Sequence, residues 1–281
     1  MTSRILTALN EWFDQSPQRM IACSGGVDSM LLATVAHRHN ADATVVVHDV
    51  TAAVPAADTV RVIEHATAEG WNLTVISSEE FADERYLSNP RDRCYYCKSH
   101  LYAAMGRVAD TVAGDRELSM VLLSGANADD LNEFRPGLKA AAENGVRHPF
   151  LELDMGKAEI RSTADELGLA FADLPSSPCL ASRLYTGTRV TQRRLRAVGV
   201  GEELVRQRTG IDVVRCRIDA CEVRVEVPDA DGERIDSGLL DAVLAAMRAV
   251  EPELTNISVD PRGYHPGRAF ELVPADSVPV R

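Results

Sequence analysis

Four short apolar runs set the rhythm of the first part of the chain: RMIAC (19–23), ATVVVHDV (43–50), NLTVIS (72–77) and SMVLLSG (119–125). Val, Ile and Leu dominate them, and a stretch long enough for a helix separates each from the next. Strands that read as near-continuous apolar runs are buried on both faces, so this rhythm predicts a parallel sheet covered by helices on each side. Helices are predicted near 28–37, 56–69, 95–108, 136–143 and 157–167, with Gly70 and Gly168 as helix stops. Ile5, Leu6, Leu9, Trp12 and Phe13 recur at helical spacing and predict a docked amphipathic helix at the start.

The pattern breaks at DLPSSPCLASRLYTGT (173–188), which is rich in Pro, Ser, Gly and Thr and reads as a loop or linker. Beyond it VVRCRI and EVRVEV alternate apolar and polar residues, so each of these strands is expected to keep one wet face. A helix over 237–250 and a strand at NISVD follow. These segments predict two domains, 1–185 with the parallel sheet and 186–281 as a smaller α+β domain.

Composition narrows the function classes. The chain has 281 residues and a net charge of −12. Such acidity disfavours long nucleic-acid partners unless basic residues cluster, as they do only briefly in RVTQRRLR (189–196). A small anionic ligand suits the balance better. No apolar run is long enough to cross a bilayer. The first residues lack the apolar stretch of a signal peptide, so the expected compartment is the cytoplasm. Six cysteines are present, and two of them, Cys94 and Cys97, stand at CxxC spacing. In a reducing compartment that spacing points to metal, cluster or redox work more than to a disulfide.

The stretch IACSGGVDS (21–29) joins a buried strand to a helix. Gly25 and Gly26 let the backbone turn tightly and approach a ligand, and a helix N-terminus offers amide donors to a phosphate. Ser24 and Ser29 add hydroxyls, Val27 opens the helix, and Asp28 is placed to cap it or to hold Mg²⁺. The Lys of a Walker A loop is absent, as is G-x-G-x-x-G. A turn that merely caps the helix is the plain alternative. SGGVDS resembles the PP-loop signature of ATP pyrophosphatases. That resemblance implies a doubly wound, mostly parallel α/β sheet with ATP at the carboxyl ends of the strands. His48 and Gly125 would line the nucleotide, with Asp129 and Asp130 close behind.

Four further stretches narrow the resemblance: NPRDRCYYCK (89–98), SGANADDLNEFRPG (124–137), KAEIR (157–161) and SPCLASR (177–183). In this order they are similar to the LarE family of sulfur transferases of nickel-pincer nucleotide biosynthesis. Cys23 and Pro178 depart from the usual pattern. The resemblance implies adenylation of a carboxylate on a pyridinium dicarboxylic acid mononucleotide, then replacement of AMP by sulfur to leave a thiocarboxylate. It implies two sources for that sulfur. Cys94, Cys97 and Cys179 can hold a [4Fe–4S] cluster whose open iron carries sulfide. Alternatively Cys179 alone attacks and surrenders its own sulfur.

In the second domain, alternation by itself makes Arg215 and Arg217 a solvated face with Glu222, Arg224 and Glu226. The resemblance instead has Arg215 and Arg217 grip the substrate phosphate, with Glu226, Ser182 and Arg183 nearby. Cys216 is expected in the core and Cys221 at a strand start. The family also implies a homo-oligomer. The rival expectations are another PP-loop sulfurtransferase of the transfer-RNA thiolase kind, an ammonia-using PP-loop synthetase, and a nucleotide-sensing module without catalysis.

Overall fold

The four apolar runs become four parallel strands in a computed structural model that describes residues 4–16, 18–113, 119–132 and 134–265. In chain order the elements are helix α1 (Arg4–Asp14), strand β1 (Arg19–Ala22), α2 (Val27–His39), β2 (Thr44–Asp49), α3 (Ala56–Glu69) and β3 (Leu73–Ile76). Next come α4 (Glu84–Leu87), α5 (Arg93–Ala113), β4 (Val121–Ser124), α6 (Pro136–Glu143), α7 (Pro149–Glu152) and α8 (Lys157–Glu166). The last are α9 (Gln192–Thr209), β5 (Arg215–Asp219), β6 (Glu222–Glu226), α10 (Ser237–Val250) and β7 (Asn256–Val259).

The chain divides into two compact units. One holds 1–80 and 94–177, and the other holds 81–93 and 178–281. In the first, the strand order is β3-β2-β1-β4, all parallel. Residues of a strand alternate between its two faces. Ile21, Val46 and Leu123 pack with α1, α2, α3 and α8, whereas Met20, Ala22, Val45 and Val47 pack with α5 and α6. Burying a side chain of this size contributes about 1.5–3 kcal/mol. This is the helix-covered α/β sheet that the apolar rhythm predicts, and it sets the carboxyl ends of β1, β2 and β4 side by side.

In the second unit β5 and β6 form a hairpin and β7 adds parallel to β6. α10 follows from its cap, because Asp236 accepts the Leu239 amide at 2.7 Å. The sequence pattern gave no helix over 192–209, yet α9 is one of the longest in the molecule. Thr191 caps it by accepting the Arg194 amide at 3.1 Å, and Gly210 ends it in the left-handed region. Gly199 and Gly201 hide it from a propensity reading. At Gly201 a Cβ would lie 2.6 Å from Met247 Sδ, so the missing side chain lets α10 pack closely. Residues 192–196 of the Arg-rich run therefore form the start of α9, behind its Thr191 cap.

The expected wet face of β5 is absent. Arg215, Cys216, Arg217 and Ile218 are all buried. The polar members of the alternation face a buried ion-pair network, so period 2 here separates two kinds of interior. No helix among the described residues is long and apolar enough to cross a membrane.

Candidate functional site

The stretch after β1 forms a tight turn leading into α2. Gly25 adopts φ +87°, and a Cβ there would lie 2.9 Å from Asp58 Cβ and from its carbonyl oxygen. The Ser29 hydroxyl accepts the Ser24 amide at 3.0 Å and donates to the Gly26 carbonyl at 3.1 Å. Its oxygen also stands 3.1 Å from Ser24 Oγ. Gly26 occupies the N-cap of α2 and makes no side-chain cap bond, so Val27 and Asp28 begin a turn whose amides can meet an anion.

Long-range contacts hold this turn in place. Arg61 Nη1 donates to the Gly25 carbonyl at 2.7 Å and to Asp58 Oδ1 at 2.8 Å. Ser177 donates to Asp58 Oδ2 at 3.2 Å. His48 is fully buried, with Nδ1 2.8 Å from the Cys23 carbonyl and Nε2 2.9 Å from Thr59 Oγ1. Its ring braces the strand end beneath the turn. Cys23 is buried too, and burial pushes its thiol up to about 11, so it stays protonated at neutral pH.

Gly125, at the end of β4, makes the closest approach. A Cβ on it would stand 2.9 Å from the Ser29 amide nitrogen and 3.0 Å from the Asp28 carbonyl carbon. Both neighbours are backbone and cannot swing aside. Gly125→Ala is expected to cost about 1–3 kcal/mol through overpacking and to push the glycine turn out of place. Chemical denaturation, read as a midpoint against the wild type, checks this.

Asp28 accepts a hydrogen bond from Asn127 Nδ2 at 2.9 Å. Burial, reinforced by Asp130, holds its carboxyl above the ordinary carboxylate range, while Asn127, Lys157 and Arg161 pull the other way. Asp130 pairs with Arg135 at 2.8 Å and with Lys157 Nζ at 3.5 Å. Asp129 Oδ2 accepts the Lys157 amide at 2.7 Å. The SGANADD and KAEIR stretches thus meet beside α2.

The raised Asp28 carboxyl has a consequence for stability. The folded chain binds this proton more tightly than the unfolded chain, so the contribution of Asp28 is present below the unfolded pKa and is lost as pH rises through the folded one. Asp28→Asn is therefore expected to melt higher than wild type at neutral pH and to lose less stability between about pH 4 and pH 7. Thermal melts across that window test the sign.

In the second unit Cys179 is exposed, at the N-cap of a short 3₁₀ turn over Leu180–Arg183. Its flanking backbone is held from below. Arg183, only 2% exposed, donates through Nη1 to the carbonyls of Pro178 at 2.5 Å and Cys179 at 3.1 Å, and to Ser182 Oγ at 3.0 Å. Its other side pairs with buried Glu202, Nε to Oε1 at 2.9 Å and Nη2 to Oε2 at 3.2 Å. Arg217 donates to the Ser182 carbonyl at 2.8 Å and pairs with Glu226 at 2.8 Å. Arg215 lies over the Tyr264 ring with 5.2 Å to its centre. Burial, with Arg183 nearby, lowers the pKa of its guanidinium. Cys216 is buried, and burial pushes its thiol far up. Cys221 sits in the β5–β6 turn, partly exposed.

Sequence reading named Ser182, Arg183, Arg215, Arg217 and Glu226 but missed Glu202. It lies at the centre of α9, a helix the pattern did not reveal. Asn127, Asp58 and Arg61 were missed as partners of the glycine turn, because sequence separations of 99 and 36 residues carry no local signal. Cys94 and Cys97 are partly exposed near the start of α5. Among the described residues no three His, Cys, Asp or Glu side chains form a group able to hold a metal ion.

A parallel sheet with helices on both faces, and a glycine turn opening the helix after its first strand, define an α/β protein with a candidate anion site at the strand ends. No family model matches the chain. It is 32% identical over 265 residues to an uncharacterized protein of Synechocystis sp., covering 94% of this chain and 96% of that one. It is 30% identical over 214 residues to the pyridinium-3,5-bisthiocarboxylic acid mononucleotide synthase of Lactiplantibacillus plantarum, covering 75% and 74%. An uncharacterized protein of Methanocaldococcus jannaschii is 28% identical over 187 residues, 66% of this chain and 69% of its own. The chain belongs to the LarE family.

Proposed function

We propose that this protein is a sulfur-inserting enzyme that converts a carboxylate of a pyridinium dicarboxylic acid mononucleotide into a thiocarboxylate. The observation that carries this reading is Cys179, exposed on a segment whose carbonyls are tied to buried arginines. Such a thiol is available to a substrate while its backbone is fixed. The named relative makes a pyridinium bisthiocarboxylate, which is the product this chemistry gives when both carboxylates react.

In this reading Ser24, Gly25, Gly26, Val27 and Ser29 receive the phosphates of ATP, with Gly125 keeping the space open. Oxygen donors from one or two carboxylates suit Mg²⁺ when phosphates complete its shell. Asp28 and Asp130 fit that description, since their mutual repulsion is the kind a divalent cation relieves. Magnesium would neutralise phosphate charge there. The substrate carboxylate oxygen attacks the α-phosphorus, pyrophosphate leaves, and an acyl adenylate forms. The Cys179 thiolate then attacks the acyl carbon and AMP departs, giving a thioester. Loss of the Cys179 Cα proton to a base breaks the Cβ–S bond, leaving a thiocarboxylate and dehydroalanine. Arg215 and Arg217 are our candidates for holding the substrate phosphate, as fixed guanidinium donors suit that group, with Glu226, Ser182 and Arg183 beside them.

Incubation with ATP, Mg²⁺ and pyridinium-3,5-dicarboxylic acid mononucleotide tests the proposal. Pyrophosphate release and a product that exchanges one oxygen for sulfur are expected. A protein mass lower by one H₂S, mapped to Cys179, identifies the sacrificed cysteine. Sulfur transfer that continues through many turnovers and stops in Cys94→Ala would favour the cluster scheme instead. Absence of pyrophosphate release would overturn the reading.

A further inference from the structure

The short segment over 81–93 follows β3 and ends on the first residue of α5, but it folds with the second unit. Two of its buried residues grip the chain just beyond Cys179. Asn89 stands at φ 54°, in the left-handed region that Asn tolerates better than most side chains. Its Nδ2 donates to the carbonyls of Tyr185 at 2.8 Å and Thr188 at 2.9 Å. Its Oδ1 accepts from Arg93 Nη1 at 2.5 Å, and that same nitrogen donates to the Ala181 carbonyl at 3.0 Å. The Asn89 carbonyl accepts the Gly187 amide at 2.9 Å, and the Leu87 carbonyl accepts the Val190 amide at 2.9 Å.

Together with Arg183 and Arg217, this leaves four of the five carbonyls from Pro178 to Ser182 bonded to buried guanidinium groups. A loop of Pro, Ser and Gly has high intrinsic freedom, and a reacting thiol must be held near its attack geometry. The Cys179 residue itself stays exposed.

We infer that Asn89 and Arg93 are positioning residues that fix the Cys179 segment for sulfur transfer. The inference rests on the functional reading above for the role of Cys179. Neither residue belongs to the glycine turn, so carboxylate activation does not depend on them.

Three full-length variants test it. Asn89→Gly keeps the left-handed backbone and removes every side-chain bond. Asn89→Asp keeps the acceptor for Arg93 but loses both donors. Arg93→Lys retains a cation and one reach toward Ala181. Pyrophosphate release with the pyridinium dicarboxylate substrate is expected to stay within about two-fold of wild type. Thiocarboxylate formation is expected to fall at least ten-fold in Asn89→Gly and Asn89→Asp, and less in Arg93→Lys. Amide hydrogen exchange over 179–188 is expected to accelerate at least ten-fold in both Asn89 variants, with exchange in α2 and β1 unchanged. Equal losses in both reaction steps, together with a drop in melting temperature, would show a purely structural pair and overturn the inference. Unchanged sulfur transfer would overturn it too. If wild type performs neither step, the functional reading fails, and unchanged exchange over 179–188 would then remove the clamp as well.

Discussion

Cys179→Ala is expected to leave pyrophosphate release intact and to lower thiocarboxylate formation by at least about 10³-fold, which corresponds to about 4 kcal/mol of lost barrier reduction. In the proposed reaction the two halves draw on different residues. Activation would use the turn at Ser24–Ser29 and Asp28, which Arg61, His48 and Gly125 hold in place. Sulfur delivery would use the exposed thiol of Cys179. Neither of the buried thiols Cys23 and Cys216 can replace it, because burial keeps both protonated at neutral pH. Cys179→Ser is the stricter variant. A serine oxygen could at best form an ester, so no sulfur would reach the product. Steady-state pyrophosphate assay and mass spectrometry of the nucleotide product, run on the same sample, decide the matter. Parallel loss of both activities would argue that the thiol serves the fold.

Glu202→Ala is expected to destabilise the second unit by about 3–5 kcal/mol, and to lower its melting temperature by roughly 10 °C. Glu202 is 1% exposed and accepts from Arg183 Nε and Nη2, from Arg206 at 3.0 Å and from the Cys216 amide at 3.2 Å. Its removal strands the Arg183 charge away from water and frees the amide of a buried strand. Breaking one side of a buried pair costs far more than replacing both sides with apolar groups of like volume. The double variant Glu202→Met with Arg183→Met should therefore recover most of the stability. It should not recover sulfur transfer, because Arg183 also holds the Pro178 and Cys179 carbonyls. Calorimetry beside the product assay separates the two effects. Full recovery of both would show that Arg183 balances charge and does nothing for the cysteine segment.

The contrast between the two units shows where local pattern carries information. Strands β1 and β2 are buried on both faces and so read as apolar runs. Helices α3, α6 and α10 coincide with the segments that periodicity and stops mark out. The glycine turn is legible for the same reason. Its residue types are dictated by the backbone within six positions, and Gly25 at φ +87° is what a turn there requires. The second unit departs from this. The alternation in β5 looks like a half-wet strand, but Arg215 and Arg217 lie inside. A polar residue opposite solvent and one opposite a buried counter-ion look alike along the chain, and only the partner tells them apart.

What the sequence by itself determined was the set of elements in the parallel sheet, the turn at its first strand end, and the Pro- and Ser-rich segment that carries Cys179. Each of these follows from forces acting within one turn or one strand. Only the tertiary structure decided that residues 81–93 join the second unit, that α9 supplies Glu202, and that the arginines beside Cys179 point inward. Those outcomes depend on pairing across about 20 to 100 residues, where desolvation and counter-charge choose the partner and no local spacing records the choice.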